Sequence, residues 1–220
     1  MTTTIAQQVS QLVETMAAQP TNEVMGAFTR EQAELAAKGV PEGVIAVGAT
    51  LPDAELIDPY GATTALHKAL GDQVSVLVFY RGGWCPYCNI ALNTYQAELV
   101  PELARRSVVL VALSPQAPDG SLSTQEKNEL TFTVLSDPAN QVAKSLGILT
   151  APSSEAQAAQ LELGLDLTAV NADGTSGLPM PTAVIVDAGH VVRWIDVHPD
   201  YTTRSEPDQI LAALDAVTSR

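Results

Sequence analysis

The sequence predicts an α/β fold in which helices flank a central mixed sheet. First, residues 74–80 form an apolar run rich in β-branched and aromatic side chains, which is typical of a buried parallel strand, and a helical pattern follows it. Second, residues 107–113 form another apolar run, followed by further helical and strand patterns. Third, apolar runs at 182–186 and 191–197 are joined by a hairpin signal, Asp-Ala-Gly-His, which predicts antiparallel strands.

Residues 1–43 are predicted to be a helical extension of the main domain. The apolar residues of a first amphipathic helix recur at helical spacing: Ile5, Val9, Leu12 and Met16. A second helix is predicted from about Thr21 to Lys38, with Gly39 as its stop. These helices pack either on the main domain or on a second subunit, so a homodimer is a further prediction.

Residues 44–220 are predicted to be the main domain, which begins with a small hairpin at 51–64. Its turn is Asp-Pro-Tyr-Gly at 58–61, with proline at the second position and glycine at the fourth. The helix after the first apolar run has one apolar face with spacings of four, three and four residues: Cys88, Leu92, Tyr95 and Leu99. Pro101 is expected to kink or end this helix.

A crossover unit is predicted after the strand at 107–113. Its parts are a short helix at 123–130, a short strand at 132–135 and a helix at 137–146. Connections of this kind between parallel strands are right-handed in nearly all proteins.

Residues 149–180 have the least pattern and are predicted to be an insertion. Such a segment serves as a lid, as a dimer contact or only as an ordinary surface excursion. A last helix is predicted at 207–217, with its apolar residues turned inward. Strand, helix, strand and helix, then a hairpin and a helix, is the thioredoxin order of elements.

The composition argues against several classes of partner. The chain has 220 residues and a formal net charge of −14, which disfavours nucleic acids and anionic membrane surfaces. No apolar run approaches the length of a membrane span, and the N terminus lacks the basic start and apolar core of a secretory signal. The only two cysteines form a redox pattern that fits a reducing compartment, so a cytoplasmic location is expected.

Those two cysteines, Cys85 and Cys88, lie three residues apart where a helix begins. The free N–H groups of a first helical turn stabilise a thiolate, which is the nucleophilic form of cysteine. Pro86 suits the first helical position. Cys85 is expected at the exposed cap, and Cys88 one turn in on the apolar face. Two sulfurs so close can form a disulfide reversibly, so the pattern predicts redox catalysis.

Three other interpretations of the pair are weaker. A structural zinc site needs four ligands, and the three histidines, at 67, 190 and 198, lack ligand spacing, so no metal is expected. A structural disulfide over so short a loop would constrain little of the unfolded chain. Two inert core cysteines are the third alternative. No nicotinamide or flavin site is visible in the sequence, so no cofactor is expected.

The segment FYRGGWCPYC at 79–88 resembles the signature of a bacterial peroxiredoxin-like family within the AhpC/TSA branch of the thioredoxin-fold proteins. The resemblance extends from about 47 to 217 through four further segments: SPQAPDGSLSTQEKN at 114–128, FTVLSDPANQVAKSLGI at 132–148, LPMPTAVIVDAGHVVRW at 178–194 and HPDYTTRSEPDQILAAL at 198–214. The tetrapeptide CPYC also occurs in glutaredoxins, so these flanking segments make the match specific. The resemblance implies a thioredoxin-like fold with a hairpin before its first central strand.

The resemblance also implies a thiol peroxidase that reduces hydrogen peroxide or organic hydroperoxides. Its thiolate becomes a sulfenic acid, which a second thiol converts to a disulfide. A thioredoxin-like protein or a low-molecular-weight thiol then serves as the reductant. A thiol–disulfide oxidoreductase, which attacks a substrate disulfide instead, is the alternative. A redox-inactive binding module is a third hypothesis, and it would require both cysteines to be dispensable for function.

Three site positions differ from the general peroxiredoxin pattern. That pattern places a proline, a threonine and the peroxidatic cysteine four and three residues apart, where this chain has Arg81, Cys85 and Cys88. The usual arginine before the later strand falls at Pro181, which resembles the cis-proline that faces the CxxC of thioredoxins. The Met180–Pro181 bond is therefore expected to be cis.

The residues predicted to carry the chemistry are Cys85, Cys88, Arg81, Trp84 and Pro181. Alignment with the broader peroxiredoxins favours Cys88 as the nucleophile. Physical placement favours Cys85, because an exposed helix cap lowers a thiol pKa and apolar burial raises it, so Cys85 is expected to attack and Cys88 to resolve. Arg81 either stabilises a thiolate or is a surface arginine. Trp84 either shields the site or belongs to the core.

Overall fold

The computed structural model describes residues 3–18 and 23–218. The strands are β1 Glu55–Ile57, β2 Thr63–Ala65, β3 Ser75–Phe79, β4 Val109–Ser114, β5 Thr133–Ser136, β6 Leu149–Thr150, β7 Leu178–Pro179, β8 Thr182–Val186 and β9 Val192–Val197. The α-helices are α1 Ile5–Ala17, α2 Glu23–Lys38, α3 Leu66–Leu70, α4 Pro86–Thr94, α5 Val100–Arg105, α6 Pro118–Lys127, α7 Gln141–Ser145, α8 Ser154–Glu162, α9 Leu167–Val170 and α10 Pro207–Thr218. A π-helix at Tyr95–Leu99 joins α4 to α5, and a 3-10 helix at Pro138–Asn140 precedes α7.

Seven strands form one mixed sheet in the order β2-β1-β5-β4-β3-β8-β9. The three central strands β3, β4 and β5 run parallel, whereas β8 and β9 on one side and β1 and β2 on the other pair antiparallel. The strands β6 and β7 form a separate antiparallel ribbon. The predicted α/β arrangement, with a mixed sheet, an N-terminal hairpin and flanking helices, is confirmed.

The central strand β3 is buried on both faces, which explains its unbroken apolar sequence. Because side chains alternate along a strand, Val76 and Val78 face the layer that contains α1, α4, α5 and α10. Leu77 and Phe79 face the other layer, which contains α3 and α7. The end of β3 is therefore held from both sides, and the residues that follow it start from a rigid position.

Pro101 does not end the helix that follows β3. The chain stays helical from 86 to 105, and the π-helix ends at Leu99, two residues before the proline. In the π-helix the N–H of Val100 donates to the carbonyl of Tyr95, five residues back. A proline lacks its own N–H and crowds the preceding turn, and the wider turn of the π-helix accommodates it without ending the helix.

Both N-terminal helices pack on the rest of the same chain. The helix α1 is capped by Thr4 and lies on α4. The helix α2 packs on α8, where Val24, Ala27 and Ala159 form a small buried cluster. The predicted start of this second helix, Thr21, lies outside the described residues.

The segment predicted to be an insertion contains two helices, α8 and α9, between the two strands of the β6–β7 ribbon. Leu149 pairs with Pro179, so the segment leaves and rejoins the main body at one place. Its helix α8 is the partner of α2. The segment is therefore folded against the N-terminal extension.

The bounds of two predicted helices are wrong. The helix expected at 123–130 begins earlier, at Pro118, and ends at Lys127. The helix expected at 137–146 is divided, because Ala139 and Asn140 have left-handed φ values of 60° and 52°. The α-helix α7 thus begins only after Asn140.

Candidate active site

The two cysteines lie where β3 ends and α4 begins, as the sequence predicts. Cys85 has an extended backbone and caps α4, and its carbonyl accepts hydrogen bonds from the N–H groups of Cys88 and Asn89, each at 3.1 Å. The preceding turn requires glycine, because a Cβ on Gly83 would collide with the Thr124 hydroxyl. Both cysteines are free thiols.

Both sulfurs are closed off from solvent. Cys85 is 1% exposed and Cys88 is 0% exposed, and both belong to the apolar cluster on the α4 side of the sheet. The partly buried side chains Trp84 and Tyr87, which flank Cys85 in sequence, pack against the same cluster. The expectation that Cys85 is exposed at the cap is therefore wrong.

Cys88 is the sulfur that receives strong hydrogen-bond donors. The Nη2 of Arg204 donates to Cys88 Sγ at 3.0 Å, and the backbone N–H of Arg81 donates to it at 3.4 Å. Burial by itself would raise the pKa of Cys88. The hydrogen bond from the Cys85 thiol, the charge of Arg204 and the Arg81 N–H outweigh burial and hold this pKa well below its ordinary value.

Cys85 has the opposite electrostatic environment. Burial raises the pKa of the Cys85 thiol, and its hydrogen bond to Cys88 and the charge on that sulfur raise it further. The positive charges of Arg81 and Arg204 lower this pKa only in part. The expectation that Cys85 has the lower thiol pKa is therefore wrong, because the cap is buried and the cationic donor reaches the other sulfur.

Arg204 is the site residue that the sequence did not identify. It is 9% exposed, and its Nη1 donates to the backbone carbonyls of Tyr201 at 2.7 Å and Thr203 at 2.6 Å. The next residue is fixed as well, since the Tyr95 hydroxyl donates to the Ser205 carbonyl at 2.7 Å. The guanidinium is thus oriented before any ligand binds. It lies 116 residues from Cys88 in sequence, and no local pattern marks it.

Arg81 and Trp84 both reach the site. The Arg81 guanidinium carbon lies 3.8 Å from the centroid of the Tyr201 ring and 5.2 Å from that of Trp84. Trp84 packs against the cluster that contains the cysteines, and its indole nitrogen is buried with no hydrogen-bond partner among the described residues. Arg81 is 6% exposed, so it is not a surface arginine.

Pro181 lies beside Arg81 and Tyr201 in the wall of a cavity. No peptide bond of the described residues is cis, so the prediction of a cis Met180–Pro181 bond is wrong. Backbone hydrogen bonds fix the chain on both sides of the Met180–Pro181 bond. The Met180 N–H donates to the Ile148 carbonyl, and the Pro181 carbonyl accepts from the His198 N–H. The thioredoxin-like interpretation of this position is therefore wrong.

A second cavity lies next to Cys88. Apolar side chains of β3 and α4 form one side of it, and the other side includes Tyr95, Thr182, His198 and Arg204. His198 is held by Asp196, whose Oδ2 lies 3.0 Å from the imidazole Nε2. The cavity therefore brings a low-pKa sulfur, a fixed cation and polar side chains to one small space.

The described residues hold no group of three or more histidine, cysteine, aspartate or glutamate side chains that could bind a metal ion. In the same part of the chain, no helix has the length and apolar character needed to span a bilayer.

Comparison with known proteins gives consistent matches. A family model described as the AhpC/TSA family matches residues 47–195. The peroxiredoxin bcp of Haemophilus influenzae is 32% identical over 104 residues, which are 47% of this chain and 66% of that protein. The chain thus covers less than two thirds of that relative.

Several solved structures resemble this one. The peroxidoxin BcpB of Mycobacterium tuberculosis is 22% identical with a TM-score of 0.59, over 77% of this chain and 96% of that one. The reduced Prx3 of Vibrio vulnificus in complex with hydrogen peroxide is 22% identical with a TM-score of 0.63, over 77% and 99%. A peroxiredoxin-like protein of Aquifex aeolicus is 16% identical with a TM-score of 0.62, over 81% and 90%. At identities this low, the structural likeness establishes a shared fold and nothing more.

Proposed function

We propose that this chain, which belongs to the AhpC/TSA family, is a thiol-dependent peroxidase. Its substrate is hydrogen peroxide or an organic hydroperoxide, Cys88 is the peroxidatic cysteine and Cys85 is the resolving cysteine. These roles reverse the assignment expected from the sequence. An external thiol, either a thioredoxin-like protein or a low-molecular-weight thiol, reduces the resulting disulfide.

The observation that carries the proposal is the pair of donors on Cys88 Sγ, the Arg204 guanidinium at 3.0 Å and the Arg81 N–H at 3.4 Å. A thiol reacts with peroxide as thiolate, and both donors stabilise the thiolate over the thiol. Cys85, the other sulfur, has a raised pKa and stays protonated. The two sulfurs are therefore prepared for different steps.

In the first step the Cys88 thiolate attacks one oxygen of the peroxide. A sulfur–oxygen bond forms and the oxygen–oxygen bond breaks, so the sulfur is oxidised to sulfenic acid. The leaving oxygen takes a proton and departs as water or an alcohol. Negative charge moves from the sulfur to this oxygen. The Arg204 guanidinium is fixed beside Cys88 Sγ by its hydrogen bonds to the Tyr201 and Thr203 carbonyls, so it lies close to the charge throughout the step. A preorganised cation stabilises such a transition state without rearrangement.

In the second step Cys85 attacks the sulfenic sulfur of Cys88. A disulfide bond forms and the sulfur–oxygen bond breaks, and the Cys85 proton leaves with the hydroxyl group as water. The two residues lie within one turn at the start of α4, so the partner thiol is already in place.

A peroxide-consumption assay with dithiothreitol or thioredoxin as reductant tests the proposal. Peroxide should disappear faster with the protein than with reductant alone, and the Cys85→Ser/Cys88→Ser double variant should abolish the difference. Mass spectrometry of the peroxide-treated protein should find a Cys85–Cys88 disulfide that dithiothreitol reverses. Consumption no faster than with dithiothreitol alone would contradict the proposal.

An insulin-reduction assay on the same protein distinguishes the peroxidase from the alternative, a thiol–disulfide oxidoreductase. The position of a CxxC at a helix start suits that chemistry as well, although the trans Met180–Pro181 bond removes one argument for it. Rapid reduction of insulin disulfides without peroxide turnover would establish the alternative.

The proposal also concerns partners and location. A disulfide that must be reduced in every cycle fits a reducing compartment, so we infer a cytoplasmic location. A homodimer stays a prediction, and light scattering after size exclusion would test it.

A further inference from the structure

A cavity distinct from the one at Cys88 lies between α2, the β6–β7 ribbon and the loop after β9. Its wall includes Glu31, Arg81, Thr150, Pro181 and Tyr201. The peroxide steps described above use the backbone N–H of Arg81. They leave the hydrogen-bonding groups of all these side chains unused.

The guanidinium of Arg81 has free donors in this cavity. Its face stacks on the Tyr201 ring, and Arg81 as a whole is 6% exposed. Stacking occupies the faces of a guanidinium, whereas its N–H groups lie in its plane. Within the described part of the chain, the only hydrogen bond that Arg81 donates is the one from its backbone N–H. The edge of a buried cation is therefore without an anionic partner.

Glu31 contributes a carboxylate to the same cavity. It is 5% exposed, and its Oε1 accepts the backbone N–H of Ser153 at 2.7 Å. Its Oε2 is buried and has no hydrogen-bond partner among the described residues. A buried carboxylate oxygen without a donor is unfavourable, and the Arg81 guanidinium has N–H groups that no acceptor among the described residues receives. A ligand that carries both a carboxylate and an ammonium group would satisfy both.

We propose that this cavity binds the charged end of the reductant, and that the reductant is a small amino-acid-type thiol with a carboxylate and an ammonium group. The carboxylate pairs with the edge of Arg81 and the ammonium group with Glu31 Oε2. This inference rests on the proposed function, because it concerns the thiol that restores the reduced enzyme.

Arg81 connects the cavity to the cysteines. Its side chain lines the cavity, its backbone N–H binds Cys88 Sγ, and its charge acts on both sulfurs. Thiol–disulfide exchange is faster when the departing sulfur is the more acidic one. The reductant therefore attacks Cys85 Sγ and expels Cys88, whose thiolate Arg204 receives.

The exchange balances with two molecules of thiol. The first thiolate forms a sulfur–sulfur bond with Cys85, the Cys85–Cys88 bond breaks, and Cys88 leaves as thiolate. A second thiolate attacks the reductant sulfur of this mixed disulfide. A small-molecule disulfide departs, and Cys85 leaves as thiolate and takes a proton. The enzyme disulfide is reduced and two thiols are oxidised.

Four small thiols test the charge requirement. Free L-cysteine carries both charged groups, 3-mercaptopropionate only the carboxylate, cysteamine only the ammonium group and 2-mercaptoethanol neither. The protein is first oxidised with diamide, and tryptophan fluorescence follows its reduction by each thiol in stopped flow. Each rate is divided by the rate of the same thiol with a small model disulfide, which removes differences in intrinsic reactivity. The normalised rate for L-cysteine should be the highest and should saturate.

Two variants then assign the groups. Glu31→Gln, which keeps an acceptor for the Ser153 N–H, should lower the normalised rates of L-cysteine and cysteamine about tenfold relative to the other two thiols. Arg81→Gln should lower those of L-cysteine and 3-mercaptopropionate by a similar factor relative to the other two. Glu34→Gln, an exposed change on the same helix, and Arg193→Gln, an exposed change on β9, are the matched controls.

Equal changes in the normalised rates of all four thiols in each variant would overturn the proposal. Glu31 and Arg81 would then affect only the electrostatic potential at the cysteines and would not bind the reductant. Normalised rates that are the same for all four thiols in the wild type would overturn it as well. Diamide forms the disulfide without peroxide, so this result does not depend on peroxidase activity. Failure of the proposed function would appear separately, as reduced protein that peroxide leaves unoxidised.

Discussion

At the residue scale, two sulfurs one helical turn apart differ in acidity because different groups surround them. Both are buried to the same degree, so burial cannot distinguish them. The difference arises because Arg204 and the Arg81 N–H donate to Cys88, while Cys85 itself donates to Cys88. A negative charge on Cys88 in turn disfavours one on Cys85.

We predict that peroxide and dimedone label Cys88 in the Cys85→Ser variant. Without Cys85 the sulfenic acid on Cys88 cannot resolve, so the trap should capture it in high yield. The Cys88→Ser variant should give little adduct, because the remaining thiol is buried and protonated. Peptide mass spectrometry locates the adduct. Strong labelling of Cys85 in the second variant, with weak labelling of Cys88 in the first, would restore the roles expected from the sequence.

We predict that Arg204→Met slows the reaction with peroxide at pH 7 by about 10- to 100-fold, as expected for loss of a charge-assisted hydrogen bond. The rate follows the thiolate fraction, so it falls as the pH falls through the Cys88 pKa. Loss of the cation raises that pKa, and the midpoint of the pH–rate profile should move to higher pH. Stopped-flow measurement across pH gives both quantities. Arg193→Met, which removes an exposed cation, is the control, and an unchanged midpoint in Arg204→Met would contradict this role.

At the scale of secondary-structure elements, α2 forms part of the cover of the site. One turn after its buried contact with α8, it places Glu31 in the cavity beside Tyr201. Glu31 also binds the N–H of Ser153, the residue that caps α8. Because both sulfurs are buried, we expect the packing of α2 on α8 to affect how fast a reagent reaches them.

We predict that Ala27→Asp increases the rate at which iodoacetamide alkylates the cysteines. Ala27 is buried between α2 and α8, and an unpaired carboxylate there should loosen their contact. Ala33→Asp makes the same chemical change on the exposed face of α2 and should leave the rate near that of the wild type. Mass spectrometry over time follows alkylation. Equal rates in both variants would show that α2 does not control access.

At the scale of the whole molecule, stability depends in part on a buried carboxyl group at the end of β5. Asp137 is 2% exposed, and its Oδ2 accepts the N–H groups of Val142 at 3.0 Å and Ala143 at 3.2 Å, at the start of α7. Burial raises the pKa of Asp137 to about 6, although these N–H groups lower it. The folded protein therefore binds this proton more tightly than the unfolded chain does.

We predict that Asp137→Asn removes a pH dependence of the free energy of unfolding. The stability due to the Asp137 proton is complete below the unfolded pKa of 3.8 and is lost as the pH rises through about 6. An amide keeps the acceptor for α7 and has no proton to lose. The variant should therefore gain stability relative to the wild type between pH 4 and 7, by up to about 3 kcal/mol. Urea unfolding at several pH values measures the free energy of unfolding of both proteins. A difference between variant and wild type that does not change with pH would contradict the prediction.

The sequence by itself determined the order of the main strands and of the helices between them, and the position of the CxxC, but not the ribbon and the short helix within 149–180. The apolar run before the cysteines, the glycines after it and the helical spacing beyond are all signals within about ten residues. The hairpin turn at 58–61 and the last helix are equally local, and the structure has both. Local signals suffice here because backbone propensity and side-chain periodicity act between neighbours in the chain.

Only the tertiary structure decided which sulfur is acidic. The contact of Arg204 with Cys88 joins residues 116 apart, and the burial of Cys85 depends on the packing of the whole cluster around it. The structure likewise decided the isomer of the Met180–Pro181 bond, which is trans. Acidity and access depend on the groups that surround an atom in space. Sheet topology, and not sequence spacing, brings those groups together.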